Sequence, residues 1–237
     1  MRLIVINRLR RWVVAFAIAV TLQCVAVPAM AQRAVPPGSG DTFKDTSMLK
    51  PPAGAKVAIY EFMDLECPAC AHAYPIVHAA AAHFNIPLVQ RDFPLSGHIW
   101  SLDAAIWARY LQDKVSPATG EEYRGAVFAA QLGINSKDDL LSFTRHFFQS
   151  HGLQLPFVPD PTGQLAREVQ ADRALGDKLG LQHTPTLFVC TQRGWTQVTN
   201  VSLLYQTISE VEAQAAADAS EKPTGPKKTA VAAKKSQ

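Results

Sequence analysis

The pattern of hydrophobic and polar positions divides the middle of the chain into strands and helices. Residues 55–63 form an apolar run of β-prone side chains, which predicts a buried strand. Pro68 suits the first turn of a helix, so we expect a helix over residues 67–84, kinked at Pro75. A second strand is predicted over residues 86–93. This strand–helix–strand order predicts a parallel pair joined by a crossover.

A run of helices follows these strands. Residues 99–112 carry an amphipathic pattern, and residues 119–151 are helical in pattern with breaks near Gly133 to Ser136. Either Asn135 or Ser136 could cap the helix after the break. A proline-punctuated linker over residues 153–161 completes this part of the chain. We therefore expect a helical subdomain, at about residues 97–160, inserted into a small α/β sheet.

The pattern beyond the linker predicts a helix, a hairpin and a last helix. The first helix covers residues 165–179 and ends at Gly180. The hairpin pairs residues 186–190 with residues 195–199, and the last helix runs from Leu203 to about Ala216. The hairpin predicts antiparallel strands beside the parallel pair. The fold class is therefore α/β, with a central mixed sheet flanked by helices.

The two ends of the chain differ from the middle. Arg8, Arg10 and Arg11 precede a long apolar run, and Ala29-Met30-Ala31 then offers small residues to a signal peptidase, so residues 1–31 are predicted to be a signal peptide. An uncleaved membrane anchor is the alternative, because the apolar run approaches spanning length. Residues 32–54 are expected to be an irregular leader rich in proline and glycine, and residues 213–237 a low-complexity tail rich in lysine and alanine.

The formal net charge of +3 comes from these ends. The first 31 residues hold four arginines and no acid, and the tail is rich in lysine, so the middle has an excess of acidic residues. A mildly acidic middle gives no reason to expect nucleic-acid binding.

The cysteines suggest redox chemistry in an exported protein. Removal of the signal would take Cys24 and leave Cys67, Cys70 and Cys190. A disulfide between Cys67 and Cys70 closes a very small loop and gains little from loop-closure entropy, so it suits exchange better than structural support. Cys190 is expected to be a buried thiol on a strand, with a third redox role as the alternative.

The predicted position of Cys67, where a strand ends and a helix begins, favours a reactive thiolate. Backbone N–H groups and the helix dipole would stabilise its negative charge, so we expect Cys67 to attack and Cys70 to resolve the mixed disulfide. Zinc usually takes four ligands from two such pairs, and there is no second pair. Covalent haem attachment needs a histidine directly after the second cysteine, where Ala71 stands. The alternative interpretation is that Cys67 and Cys70 form an inert structural disulfide.

Three segments together resemble the DsbA-like thioredoxin-fold family of thiol–disulfide oxidoreductases. They are Glu61-Phe-Met-Asp-Leu-Glu-Cys67-Pro-Ala-Cys70, Arg91-Asp-Phe-Pro-Leu95 and Leu181-Gln-His-Thr-Pro-Thr-Leu-Phe-Val189. The resemblance covers roughly residues 50–212. It implies a thioredoxin fold with a helical insertion over about residues 55–212, a periplasmic location and catalysis of disulfide exchange in other proteins.

The resemblance also assigns roles to residues outside the cysteine pair. Pro185 would be the cis-proline that packs against the pair, and Thr184 would offer its backbone to an extended substrate peptide. Glu61 would be a buried acid beneath the motif that exchanges a proton with Cys70. For Pro185 the alternative is an ordinary proline at the start of a strand, and for Glu61 it is an acid that faces solvent.

Three features near Cys67 bear on its redox tuning. The most oxidising members of the family carry a histidine between the cysteines, whereas this chain has Pro68-Ala69. Glu66 adds a negative charge directly before Cys67, which disfavours a thiolate. Both features predict a more reducing couple than that of the strongest oxidants. His183 could oppose them by stabilising the thiolate, although an exposed loop histidine is the favoured interpretation.

The sequence therefore predicts an enzyme, with protein disulfide oxidase as the first choice and reductase or isomerase as the second. A metal carrier that uses the Cys67–Cys70 pair is the alternative from a different class. We expect no cofactor and no bound metal. The expected partners are unfolded or partly folded exported proteins and a membrane redox partner, either a quinone-linked oxidase or a thiol reductant, and the chain is expected to be a monomer. His72, His78 and His83 are interpreted as surface residues, because their spacings do not place them on one helix face.

Overall fold

The computed structural model describes residues 34–35 and 49–220. The predicted signal peptide and the tail beyond residue 220 lie outside the described residues. The described part contains one five-stranded mixed sheet, in the order β1-β5-β4-β2-β3. Its strands are β1 (Ala34–Val35), β2 (Val57–Met63), β3 (Leu88–Asp92), β4 (Thr186–Thr191) and β5 (Trp195–Val198).

The strand pairing follows the predicted arrangement. β2 is central, parallel to β3 and antiparallel to β4, and β4 pairs antiparallel with β5 as a hairpin. β1 is a difference from the expected irregular leader, because Ala34–Val35 pairs antiparallel with β5. Leu49, also in the leader, is fully buried in the core. These contacts are long-range, so no local pattern in the leader signals them.

Six helices surround the sheet in the described part of the chain. They are α1 (Pro68–Phe84), α2 (Ser101–Lys114), α3 (Pro117–Ala130), α4 (Lys137–Ser150), α5 (Gln164–Lys178) and α6 (Leu204–Ser220). The order of strands and helices matches the prediction. α1 continues past Pro75 to Phe84, and α6 extends to Ser220, beyond the expected start of the tail. None of the described helices is both long enough and apolar enough to cross a membrane.

Local signals place the helix ends in the inserted subdomain. The Ser116 hydroxyl accepts a hydrogen bond from the Thr119 amide at the start of α3, and the Ser136 hydroxyl accepts one from the Asp139 amide at the start of α4. Ser136 is therefore the capping residue, rather than Asn135. Gly180 takes a positive φ of 73° just after α5, a conformation that glycine adopts without strain.

Alternation along β2 gives the sheet two buried faces, because successive side chains point to opposite sides. One face packs against α1 and α6 and the other carries an aromatic cluster. The first includes Val57, Ile59, Leu187 and Val189, and the second includes Tyr60, Phe62, Phe93, Phe188 and Trp195. Glu61 shares the parity of Val57 and Ile59, so its side chain lies on the face that α1 covers.

A buried ionic cluster joins the inserted helices to the end of β3. Asp92 Oδ1 accepts from Arg124 Nη1 at 2.5 Å and Asp92 Oδ2 accepts from Arg109 Nε at 2.6 Å. Asp172 on α5 accepts from Arg109 Nη2 at 2.5 Å and from Arg91 Nη1 at 3.0 Å. Each buried carboxylate therefore has two arginine partners, which offset the cost of removing the charges from water.

Candidate active site

Cys67 is the N-cap residue of α1 and lies directly after the loop that follows β2. Pro68 begins the helix, as its fixed φ and missing N–H allow. The Cys67 side chain is nearly buried, and its Sγ lies 3.3 Å from the carbonyl oxygen of Thr184. The start of the helix thus presents its N–H groups to one partly accessible sulfur.

The surroundings of Cys67 lower its pKa to about 5. Hydrogen bonding from Cys70 lowers it most, burial opposes the shift, and Thr184 and the backbone amides of Cys70 and Ala69 lower it further. Thr184 Oγ1 is buried and has no other hydrogen-bond partner among the described residues. At neutral pH the reduced form of Cys67 is therefore the nucleophilic thiolate.

The pKa of Cys70 is shifted in the opposite direction to that of Cys67. It is fully buried, and this burial, together with the neighbouring Cys67, strongly raises the pKa of Cys70. The amide of Asp64 donates to Cys70 Sγ over 3.4 Å. Cys67 and Cys70 are not joined by a disulfide in this structure. The two pKa directions distinguish an attacking sulfur from a resolving one.

The predicted proline lies beside Cys67, and the Thr184–Pro185 peptide bond is cis, as the family resemblance implies. Thr184 and Pro185 line a groove of about 410 Å³ together with Ala69, His72 and His183. His183 is exposed there, in agreement with the favoured interpretation of an exposed loop histidine. The groove is a surface beside the reactive sulfur on which an extended peptide could lie.

Asp64 and His98 form a pair that the sequence analysis did not identify. The Asp64 carboxylate is buried and accepts three hydrogen bonds of 2.7 Å, from Glu66 N, Leu95 N and His98 Nδ1. The Asp64 carbonyl oxygen accepts from the Cys67 amide at 3.1 Å. The Asp64–His98 pair therefore ties the loop before Cys67 to the segment after β3. An acid directly after a buried strand was the only sequence signal for it.

Glu66 has a different role from the one expected. Its Oε2 accepts from the backbone amides of Trp100 at 2.7 Å and Ser101 at 3.0 Å, so its carboxylate caps the start of α2. An acid at a helix N-terminus is stabilised by the unpaired N–H groups and the helix dipole. Glu66 is not among the main influences on the Cys67 pKa. Its charge is directed at α2 instead of opposing the thiolate.

Glu61 is buried, as the resemblance implies, with 1% of its surface exposed. Neither carboxylate oxygen has a hydrogen-bond partner among the described residues. Burial raises the pKa of Glu61 to about 7, and nearby His78 and Gln90 offset this only in part. Glu61 can therefore gain or lose a proton near neutral pH, which suits the predicted proton exchange with Cys70.

His78 differs from the predicted surface histidine. Its Nε2 lies 3.0 Å from Glu121 Oε1, and Tyr74 donates its hydroxyl to the same oxygen over 2.6 Å. The His78 side chain is 32% exposed, so it borders solvent on one side and the polar groups near Glu61 on the other. His72 and His83 are exposed, as expected. Helix spacing alone could not predict the contact, because Glu121 belongs to α3.

Cys190 is a buried thiol on β4, as predicted, where it pairs with Ala58 on β2 and Trp195 on β5. Burial raises its pKa, so it remains protonated at neutral pH. A protonated thiol within the core is a weak nucleophile, which agrees with a packing role for Cys190.

Comparisons with known proteins agree with this geometry. The thioredoxin family model matches residues 46–200. A variant of Wolbachia pipientis alpha-DsbA1 has a similar structure, with a TM-score of 0.59 and 16% sequence identity over 73% of this chain and 98% of that one. Proteus mirabilis ScsC has a TM-score of 0.53 and 16% identity over 68% of this chain and 70% of that one. No curated protein matches this sequence as a relative.

A further similar structure is that of Wolbachia pipientis alpha-DsbA2, with a TM-score of 0.52 and 17% identity over 68% of this chain and 85% of that one. At these identities the structures establish the fold, and the family match covers well over half of the chain. The site adds a cysteine pair at a helix start beside a cis-proline. The chain belongs to the thioredoxin family and has the DsbA-like fold and the cysteine pair of a thiol–disulfide oxidoreductase.

Proposed function

We propose that the protein is a periplasmic protein disulfide oxidase that acts on unfolded or partly folded exported proteins. The observation that carries the proposal is the position of Cys67 Sγ, at the start of α1 and 3.3 Å from the carbonyl oxygen of Thr184 beside cis-Pro185. This arrangement combines a nucleophilic sulfur with an adjacent backbone edge to which an extended substrate can add. Unfolded chains supply such extended segments.

The reaction begins with the Cys67–Cys70 disulfide. A substrate thiolate attacks Cys67 Sγ, the bond between the two enzyme sulfurs breaks, and its electron pair leaves on Cys70. A second substrate thiolate then attacks the substrate sulfur of the mixed disulfide and releases Cys67 as a thiolate. The substrate gains one disulfide, and the enzyme becomes the dithiol, whose Cys70 takes up a proton. Glu61 is the proposed carrier of that proton.

The proposed direction of electron flow, from substrate to enzyme, is supported by the stability of the reduced form. A thiolate that the protein stabilises makes the reduced enzyme more favourable and its disulfide more oxidising. The pKa of Cys67, lowered to about 5, lies between the value of about 7 in thioredoxin and about 3.5 in the strongest periplasmic oxidant. We therefore propose an oxidising couple that is less extreme than the strongest oxidants, in keeping with Pro68-Ala69 between the cysteines.

Oxidase turnover requires an acceptor for the electrons collected by Cys67 and Cys70. The proposed acceptor is a quinone-linked membrane oxidase. The predicted signal peptide, from the arginines to Ala31, supports a periplasmic location where such an acceptor would be reached. A disulfide reductase or isomerase, kept reduced by a thiol reductant, is the second proposal for the same site.

A metal carrier is the alternative from another class. Within residues 49–220 no group of three or more histidine, cysteine, aspartate or glutamate side chains lies close enough to hold a metal ion. The Cys67–Cys70 pair would have to bind a metal without a third ligand from this part of the chain. Metal analysis of the purified protein separates the two ideas, because a carrier would hold metal in a stoichiometric amount.

The test of the proposed function is a trapping experiment in cells. In a Cys70→Ser variant the Cys67 thiolate can still attack a disulfide of an exported protein, and Cys70 is no longer there to break the mixed disulfide that results. Covalent complexes with exported proteins, which dissolve on reduction, should therefore accumulate. A Cys190→Ser variant is the matched control and should show none beyond wild type. Alkylation of thiols in wild-type cells should find Cys67 and Cys70 mostly oxidised. A mostly reduced pair would replace oxidase with reductase or isomerase, and the absence of complexes would refute exchange with proteins.

A further inference from the structure

We propose that the backbone amide of Asp64, held in place by His98, stabilises the Cys70 thiolate that forms when a substrate opens the Cys67–Cys70 disulfide. In this proposal the Asp64 carboxylate and His98 are positioning groups, since of these two residues only the Asp64 amide touches a reacting sulfur. The inference rests on the exchange chemistry of the proposed function. It adds to that chemistry the backbone amide that stabilises the negative charge developing on Cys70.

Two hydrogen bonds lower the pKa of the leaving sulfur: the larger effect comes from the Asp64 amide and the smaller from the Thr184 side chain. Cys70 Sγ is fully buried, so water cannot solvate a negative charge there. The Asp64 amide lies 3.4 Å from this sulfur and donates to it, and its hydrogen bond lowers the pKa of Cys70 against the much larger effect of burial. A fixed N–H donor in a dry site stabilises developing charge more effectively than the same donor would in water.

The Asp64 amide is held by the carboxylate of the same residue. That carboxylate is inaccessible to solvent and accepts from the amides of Glu66 and Leu95. Its third partner is His98 Nδ1, at 2.7 Å from Oδ2. Leu95 and His98 come from the segment after β3, whereas Glu66 belongs to the loop before Cys67. The carboxylate thus joins two segments and fixes the direction of the amide between them.

His98 is the member of the pair that can be changed with the least risk to folding. Its side chain is 25% exposed, in contrast to the buried Asp64 carboxylate. The ring reaches Asp64 through Nδ1, so the position of the donor atom on the ring matters. Asparagine can place its side-chain nitrogen close to the position of Nδ1, whereas glutamine places it close to that of Nε2.

These two variants, His98→Asn and His98→Gln, are the test. The full chain is oxidised, mixed with excess reduced glutathione, and the opening of the disulfide is followed by quenched alkylation. We expect the disulfide of His98→Gln to open about tenfold more slowly, because a less stable thiolate is a poorer leaving group. Its equilibrium with glutathione should stay close to that of wild type, because Cys70 is protonated in the reduced protein. His98→Asn should remain within about threefold of wild type. His146→Gln, an exposed histidine on α4, should behave as wild type.

The unfolding free energies of the oxidised and reduced forms distinguish positioning from simple structural support. A structural role predicts that His98→Gln destabilises both forms equally and that its disulfide opens at the wild-type rate. That outcome would overturn the proposal, as would equal slowing in His98→Asn and His98→Gln. Glutathione opens the disulfide whichever way electrons flow in the cell. Failure of the oxidase assignment in the trapping experiment would therefore be a separate result.

Discussion

Glu61 and Asp92 are both buried acids on neighbouring strands, yet the protein treats them in opposite ways. Asp92 is held by Arg109 and Arg124 at the end of β3. Burial alone would raise the pKa of Asp92, but the two guanidinium groups outweigh it and hold the pKa below its usual range. Glu61, on the face covered by α1, has no hydrogen-bond partner among the described residues, and its pKa is raised to about 7.

The charge of Asp92 therefore stabilises the fold, whereas Glu61 is able to exchange a proton. Arg109 and Arg124 favour the ionised form of the paired acid, Asp92, which joins the inserted helices to the sheet. The unpaired acid, Glu61, weakens the folded state when it ionises. A raised pKa caused by burial without partners is a property of groups that exchange protons in active sites.

The largest effect is expected from breaking the Asp92 pairing. Arg124→Met removes one buried guanidinium and leaves the Asp92 carboxylate with a single arginine. Such a loss should lower the free energy of unfolding by about 3–5 kcal/mol, measured by urea denaturation. Arg145→Met, which changes an exposed arginine on α4, is the control and should have little effect. A loss below 1 kcal/mol in Arg124→Met would show that the ionic cluster does not hold the fold.

For the unpaired acid, Glu61, we expect removal of the charge to raise the free energy of unfolding, by an amount that depends on pH. Because the folded-state pKa of Glu61 is about 7, above its usual 4.5, folding binds a proton across this interval and stability falls as pH rises from 4.5 to 7. The full penalty, about 3 kcal/mol, is present above pH 7. Glu61→Gln should therefore be more stable than wild type at pH 8 by up to that amount and similar to it at pH 4.

Asp113→Asn, at an exposed position on α2, is the matched control for this pH series. It should leave the difference between pH 4 and pH 8 unchanged. A Glu61→Gln variant whose stability relative to wild type is the same at both values would contradict a buried, unpaired carboxylate.

Glu66 lies between these extremes, since among the described residues its carboxylate is hydrogen-bonded to backbone amides at the start of α2. Glu66→Gln keeps an acceptor oxygen but removes the charge, so we expect a loss of about 0.5–1 kcal/mol. The loss should diminish in high salt if the helix dipole contributes to it. We also expect the Cys67 pKa to change little, as followed by thiolate absorbance. A marked drop in that pKa would restore the view that Glu66 opposes the thiolate.

The smallest effect is expected at His183. Its side chain is exposed in the groove beside Pro185, and Cys70 and the backbone at the start of α1 account for much of the lowering of the Cys67 pKa. His183→Gly should therefore shift the Cys67 pKa by less than about 0.3, a small fraction of the tenfold change that one unit represents. A shift of a full unit in the Cys67 pKa would show that His183 also stabilises the thiolate.

Local patterns account for what the sequence predicts well. Cys67 and Cys70 lie within one helical turn, and Pro68 and Ser136 mark helix starts by their own backbone preferences. The cis bond before Pro185 followed from the family resemblance, since sequence alone favours a trans bond. The burial of Glu61 also came from the resemblance, with a polar residue in an apolar strand as the supporting sign.

Contacts between distant segments explain what was missed. His98 meets Asp64 from 34 positions away and Arg124 meets Asp92 from 32 positions away, so no spacing rule relates the partners. Glu66 was expected to act on its neighbour Cys67, but the fold directs it to the start of α2. Asp64 and Asp92 share one sequence sign, an acid at or directly after the end of a strand.

The reduction potential of the Cys67–Cys70 pair tests the central claim most directly. It is obtained from the equilibrium of the full chain with reduced and oxidised glutathione. A Cys67 thiolate stabilised by the start of α1 predicts a value above that of thioredoxin, about −270 mV, and below that of the strongest periplasmic oxidant, about −120 mV. A potential at or below that of thioredoxin would contradict an oxidase built on this thiolate.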